Sequence, residues 1–133
     1  MPLWIAGERM APSSSRILVV DDNDALRENL AEALEIEGYP VVVAADAKVA
    51  LERLAEEPPP NVVLLDLMMP GMSGRELLER IREDPRLRHV RVVITTGVSG
   101  ARARLASADA VLTKPFGVKE LVSALRKVGA QPG

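Results

Sequence analysis

Asn61-Val62-Val63-Leu64-Leu65-Asp66-Leu67-Met68-Met69-Pro70-Gly71 is the stretch that decides how this chain is read. An apolar run of strand length ends on a carboxylate and passes at once into a Pro-Gly loop, so Asp66 stands where a buried strand opens onto the surface. Two other runs end on charge in the same way. Residues 17–20, all aliphatic, meet Asp21-Asp22, and residues 110–113 meet Lys114-Pro115. Runs at 41–44 and 92–94 bring the expected strands to five.

The segments between the runs carry helical periodicity. Leu26, Leu30, Ala33 and Leu34 share one face opposite Arg27, Glu28, Glu32 and Glu35, with Gly38 as a stop. Ala47, Ala50, Leu51 and Leu54 repeat the pattern before Pro58-Pro59-Pro60, as do Leu77, Leu78 and Ile81, and finally Val118, Leu121, Val122, Leu125 and Val128. Residues 98–107 are left as the crossover between the last two strands; they predict a short or irregular helix, weakened by Gly97 and Gly100. Strand runs that are continuously apolar, rather than alternating, imply a sheet covered on both faces. The fold class is therefore α/β, a doubly wound parallel sheet. Ligands in such folds gather outside the carboxyl ends of the strands, which is where Asp21, Asp22, Asp66 and Lys114 all fall.

At 133 residues and 47% hydrophobic, the chain has the size and apolar content of one compact domain. Residues 16–128 form that domain, preceded by a tail over 1–15, expected to be disordered, and followed by a short tail over 129–133. Leu3-Trp4-Ile5-Ala6 is too short for a signal sequence or a membrane span, so no membrane insertion is expected. A net charge of −2 supplies no basic field, and 2% aromatic residues supply no stacking platform, so direct binding of nucleic acid is not expected. With no cysteine, disulfides, thiolate metal sites and cysteine catalysis are excluded; the composition is compatible with a reducing cytoplasm.

Each candidate residue has a plainer reading. Asp21-Asp22-Asn23-Asp24 would serve as a helix cap, but one such residue suffices for a cap, and two adjacent acids facing a third accumulate repulsion that a cap does not need. Lys114 alone would be a solvated lysine before a turn; beside three carboxylates it is a counter-charge. Thr96, after Val92-Val93-Ile94 and Thr95 and before Gly97, brings a hydroxyl to the same edge, with Thr95 as the alternative. His89 lies in a polar loop without a companion ligand and reads as a surface residue. Met68, Met69 and Met72 read as loop packing rather than a metal site.

Asp21-Asp22, Asp66 followed by Met69-Pro70-Gly71, Thr96-Gly97 and Lys114-Pro115-Phe116, in this order, resemble the signature set of receiver domains from two-component response regulators. The resemblance covers residues 16–128. It implies a five-stranded parallel sheet flanked by five helices, and Mg²⁺-dependent transfer of a phosphoryl group onto Asp66 from a phosphohistidine of a sensor histidine kinase or a histidine phosphotransfer protein. It further implies that Asp22, Asp66 and the main-chain carbonyl of Met68 ligate Mg²⁺, that Asp21 holds it through water, that Lys114 meets the phosphoryl oxygens and that Thr96 is the switch hydroxyl. A cytoplasmic signalling domain that acts on its own phosphorylation and switches binding of an output partner follows from the same resemblance. Val111 stands where many receivers carry Tyr or Phe. Met68 and Val98 are apolar at positions that in the family govern water access to the phosphoryl group, which implies a long-lived phosphorylated state.

Other classes compete for the same sheet. A phosphohydrolase with an aspartyl nucleophile would want a second acid at position 68, which is Met68. A flavin or dinucleotide binder would want a glycine- or hydroxyl-rich loop after the first strand, where Asp21-Asp22 would repel phosphate. A docking module of receiver shape that is never phosphorylated would not need the full set of acids, hydroxyl and lysine.

Overall fold

The computed structural model describes residues 15–69, 71–97 and 107–133. Five parallel strands form one sheet: β1 (Ile17–Val20), β2 (Val41–Ala44), β3 (Val62–Asp66), β4 (Arg91–Thr96) and β5 (Ala110–Thr113), in the order β2-β1-β3-β4-β5. Four helices are described: α1 (Asp24–Ile36), α2 (Ala47–Leu54), α3 (Gly74–Glu83) and α4 (Val118–Lys127), with a 3₁₀ turn over Pro85–Leu87. The remaining helix expected from the family falls in the crossover at 98–107, nearly all of it outside the described residues, as is the tail at 1–14.

The continuous apolar strands serve two cores. Leu18, Val20, Val63, Leu65, Val92 and Ile94 pack with α2 and α3 on one face, while Ile17, Val19, Val62, Leu64 and Val93 pack with α1 and α4 on the other. Successive side chains of a strand point to opposite faces, so a strand buried on both sides must be apolar at every position. The rule holds for β1, for β3 up to Leu65 and for β4 from Val92 to Ile94, and it is broken by buried Asp66, Thr95 and Thr96 at the carboxyl ends; the edge strands are only partly covered, and Val43 in β2 is 37% exposed.

Local signals set the helix ends. Asn23, Asp46 and Ser73 cap α1, α2 and α3 by accepting N–H bonds from Leu26, Val49 and Glu76. Gly38, at φ +100°, ends α1: its own N–H reaches Glu35 and that of Tyr39 reaches Leu34. In α4 the buried face is Leu121, Ala124 and Leu125, whereas Val118, expected on the core side, is 45% exposed in the first turn. The last residues fold back rather than trailing away: Ser15 and Gln131 exchange two hydrogen bonds of 2.7 and 2.9 Å, and Gly133 donates to the Gly38 carbonyl at 2.7 Å.

Candidate functional site

Strand register builds the site. Val20 pairs with Leu65, so the next residues, Asp21 and Asp66, stand side by side at the carboxyl ends of β1 and β3. These two strands flank the point where the strand order reverses, the crevice in which open α/β sheets bind ligands. Across β4, Thr96 pairs with Thr113, and the next residue, Lys114, donates its main-chain N–H to the Thr96 carbonyl at 2.7 Å. A cis Lys114–Pro115 peptide follows. Thr95 and Thr96 are both fully buried at the end of β4.

Carboxylate oxygens of Asp21, Asp22 and Asp66 lie within 4.8 Å of one another, with Asp21 and Asp66 buried and Asp22 exposed. The Lys114 ammonium reaches both buried acids, 3.1 Å from Asp21 Oδ2 and 3.6 Å from Asp66 Oδ1. Main-chain donors complete the shell: Asn23 N–H to Asp21 Oδ1 at 2.9 Å and Met68 N–H to Asp66 Oδ1 at 3.2 Å. Burial pushes the Asp66 carboxyl above its ordinary value; Asp21 and, more weakly, Asp22 add to the rise, while the Met68 N–H and Lys114 oppose it.

The donor set is made of oxygen alone and carries concentrated negative charge, which suits a hard cation such as Mg²⁺. Asp21, Asp22, Asp66 and Lys114 are thus brought together as expected, with Thr96 at the adjacent strand end. Met68 divides in two: its N–H joins the site and its side chain is 67% exposed. His89 is exposed, and Met69 is buried in the core, as their plainer readings had it.

Of the four residues weighed as a helix cap, Asn23 is the one that caps α1, which leaves Asp21 and Asp22 for the site. Two supporting residues escaped the sequence reading. Arg27, read as a solvent-face residue, donates to the Asp21 carbonyl at 2.9 Å and pairs with Asp24 at 2.6 Å; the spacing of Asp24 and Arg27 was the available signal. Gly74 starts α3 directly against the end of β3, where a Cβ would collide with the Asp66 carbonyl oxygen and lie 2.8 Å from Leu67 Cα. Nothing local in the sequence announces that contact.

The response regulator receiver domain family matches residues 17–126. The chain belongs to that family. Among relatives of this receiver domain, the response regulator PleD of Caulobacter vibrioides is 40% identical over 107 residues, 77% of this chain and 23% of that protein. The phosphate regulon transcriptional regulatory protein PhoB of Escherichia coli is 37% identical over 117 residues, 85% of this chain and 51% of that protein. The receiver domain thus spans about a quarter to a half of the length of these relatives. Chemotaxis protein CheY4 of Vibrio cholerae superposes with a TM-score of 0.80 at 27% identity, covering 86% of this chain and 98% of that one. Response regulator TrrA of Thermotoga maritima, solved in complex with Mg²⁺-BeF, gives 0.76 at 34% identity over 86% and 98%. This chain is accordingly a phosphoacceptor signalling domain of two-component type, with the flavodoxin-like receiver fold. Among the described residues, no helix is long and apolar enough to cross a membrane.

Proposed function

We propose that Asp66 takes a phosphoryl group from a phosphohistidine of a sensor histidine kinase or histidine phosphotransfer protein, and that residues 16–128 carry this activity as one unit. The observation that carries the reading is the Lys114 ammonium set 3.1 and 3.6 Å from the two buried acids of a three-carboxylate cluster. An Asp66 oxygen attacks phosphorus, the bond from phosphorus to the donor imidazole nitrogen breaks, and its electron pair stays on the ring. The product is an acyl phosphate on Asp66.

Both partners in that step are anionic, so the site must offset repulsion before it does anything else. Asp22, Asp66 and the Met68 carbonyl would hold Mg²⁺ directly, and Asp21 through water. Bound Mg²⁺ would cancel charge on the incoming group and stabilise the charge that builds on its equatorial oxygens. Lys114, now shared between Asp21 and Asp66, transfers its contact to the phosphoryl oxygens. Thr96 then supplies a hydroxyl to the same oxygens and carries the change into the loop that follows β4. The phosphorylated surface is read by an output partner. The domain acts in the cytoplasm, changes only its own phosphorylation, and has neither a direct nucleic-acid interface nor a membrane-inserted part.

The test is titration with Mg²⁺ and beryllofluoride, followed by labelling with acetyl phosphate. Expected are a saturable Mg²⁺-dependent spectral or NMR response and a single labelled residue, both lost in Asp66→Asn. Full Mg²⁺-dependent labelling of that variant would remove Asp66 as the acceptor.

A further inference from the structure

Met68 combines a fixed main chain with an exposed side chain. Its N–H is bonded to Asp66 Oδ1 at 3.2 Å, yet the side chain is 67% exposed. The neighbouring methionines differ: Met69 is 8% exposed and Met72 is half-buried, and both pack on the core beneath α2 and α3. A solvent-facing thioether is therefore held two residues from the acceptor carboxylate, and packing gives it no shelter from oxidants.

We propose that Met68 is an oxidation site through which hydrogen peroxide shortens the lifetime of the phosphorylated domain. The sulfur lone pair attacks one peroxide oxygen and the O–O bond breaks. The departing hydroxide removes the proton from the transferred oxygen and leaves as water. The thioether is oxidised to a sulfoxide and the peroxide is reduced. A weak acceptor becomes a strongly polar S=O group while the charge of the site stays unchanged. Hydrolysis of an acyl phosphate requires a water aligned with phosphorus. An oxygen acceptor beside the carboxylate can orient that water by hydrogen bonding, and an apolar thioether does so poorly.

The effect on lifetime rests on Asp66 being the acceptor, so the two are read separately. The full chain is exposed to limiting hydrogen peroxide, and sulfoxide at each methionine is followed by peptide mass spectrometry. Treated and untreated chains are then labelled with acetyl phosphate and Mg²⁺, and loss of the phosphoryl group is timed. Expected is sulfoxide at Met68 forming at least about fivefold faster than at Met69 or Met72. Loss of the phosphoryl group should be roughly threefold or more faster after treatment, and methionine sulfoxide reductases should reverse the change. Met68→Gln, which carries a polar acceptor that peroxide leaves intact, should lose phosphate quickly without treatment and show no response to it. Met68→Leu should give a ratio of treated to untreated rates near one. Equal oxidation of Met69 or Met72, an unchanged lifetime after oxidation, or the same acceleration in Met68→Leu overturns the proposal. Absence of label on the untreated chain overturns the acceptor reading and the lifetime effect with it; the order of oxidation still decides whether Met68 is the reactive methionine.

Discussion

Asp66 is held in a conformation that is unfavourable for an unliganded carboxylate. Its pKa is raised above the ordinary 3.8, first by burial and then by Asp21, so between those two values the folded state binds more protons than the unfolded one. Stability contributed by this residue therefore falls as pH rises above about 3.8, until the folded value is passed. Asp66→Asn removes this loss. In EDTA at pH 7 the variant should melt a few degrees above the parent, with the difference vanishing below the ordinary carboxylate range; calorimetry of both chains across pH measures it. Adding Mg²⁺ should reverse the order, because the parent gains binding free energy that the variant lacks. Lys114→Ala works in the opposite direction. Losing the ammonium next to the buried Asp21 should cost about 1–2 kcal/mol in ion-free buffer, since the lysine is partly solvated. Mg²⁺ binding should survive and the response to beryllofluoride should not.

At the scale of elements, the packing of α3 on the end of β3 controls how tightly the loop after Asp66 is built. Gly74→Ala puts a methyl group against the Asp66 carbonyl and Leu67 Cα, so the helix must retreat; about 1–3 kcal/mol of stability and a drop in labelling rate are expected, read by chemical denaturation and acetyl phosphate kinetics. At the far end of the same helix, Arg82 donates to the carbonyls of Val90 and Ser107 and to Asp109 Oδ2 at 2.7–2.8 Å, tying α3 to the entries of β4 and β5. Arg82→Ala should cost roughly 2 kcal/mol and speed amide exchange at the start of β5. The helices, the strands and the Asp66 terminus were legible because each rests on local chemistry: helical periodicity, a continuous apolar run, a glycine stop. Gly74 and Arg82 were not: Gly74 matters only because the loop folds α3 back against Asp66 and Leu67, and Arg82 only because the fold brings Val90, Ser107 and Asp109 to the end of α3. Val118 was misplaced because α4 buries Ala124 in its stripe, and a small residue carries little weight in an apolar pattern.

Over the whole molecule, the site depends on two cores holding five strand ends in register. Leu65, fully buried next to Asp66, illustrates the dependence: Leu65→Ala should cost about 2–5 kcal/mol, and the fraction that remains folded should still bind Mg²⁺, because the carboxylates hang from main chain rather than from that side chain. The bonds joining Ser15 to Gln131 and Gly133 to Gly38 gather both ends of the described unit at the amino edge of the sheet, opposite the acids. A circular permutant that fuses residue 131 to residue 15 through a few glycines and opens the chain at the exposed Arg88-His89 turn should therefore fold and still accept phosphate. Splicing the domain into a host protein through that same pole should leave the edge that carries Asp66 free, so the unit is portable as a cassette whose junctions and acid cluster lie at opposite ends.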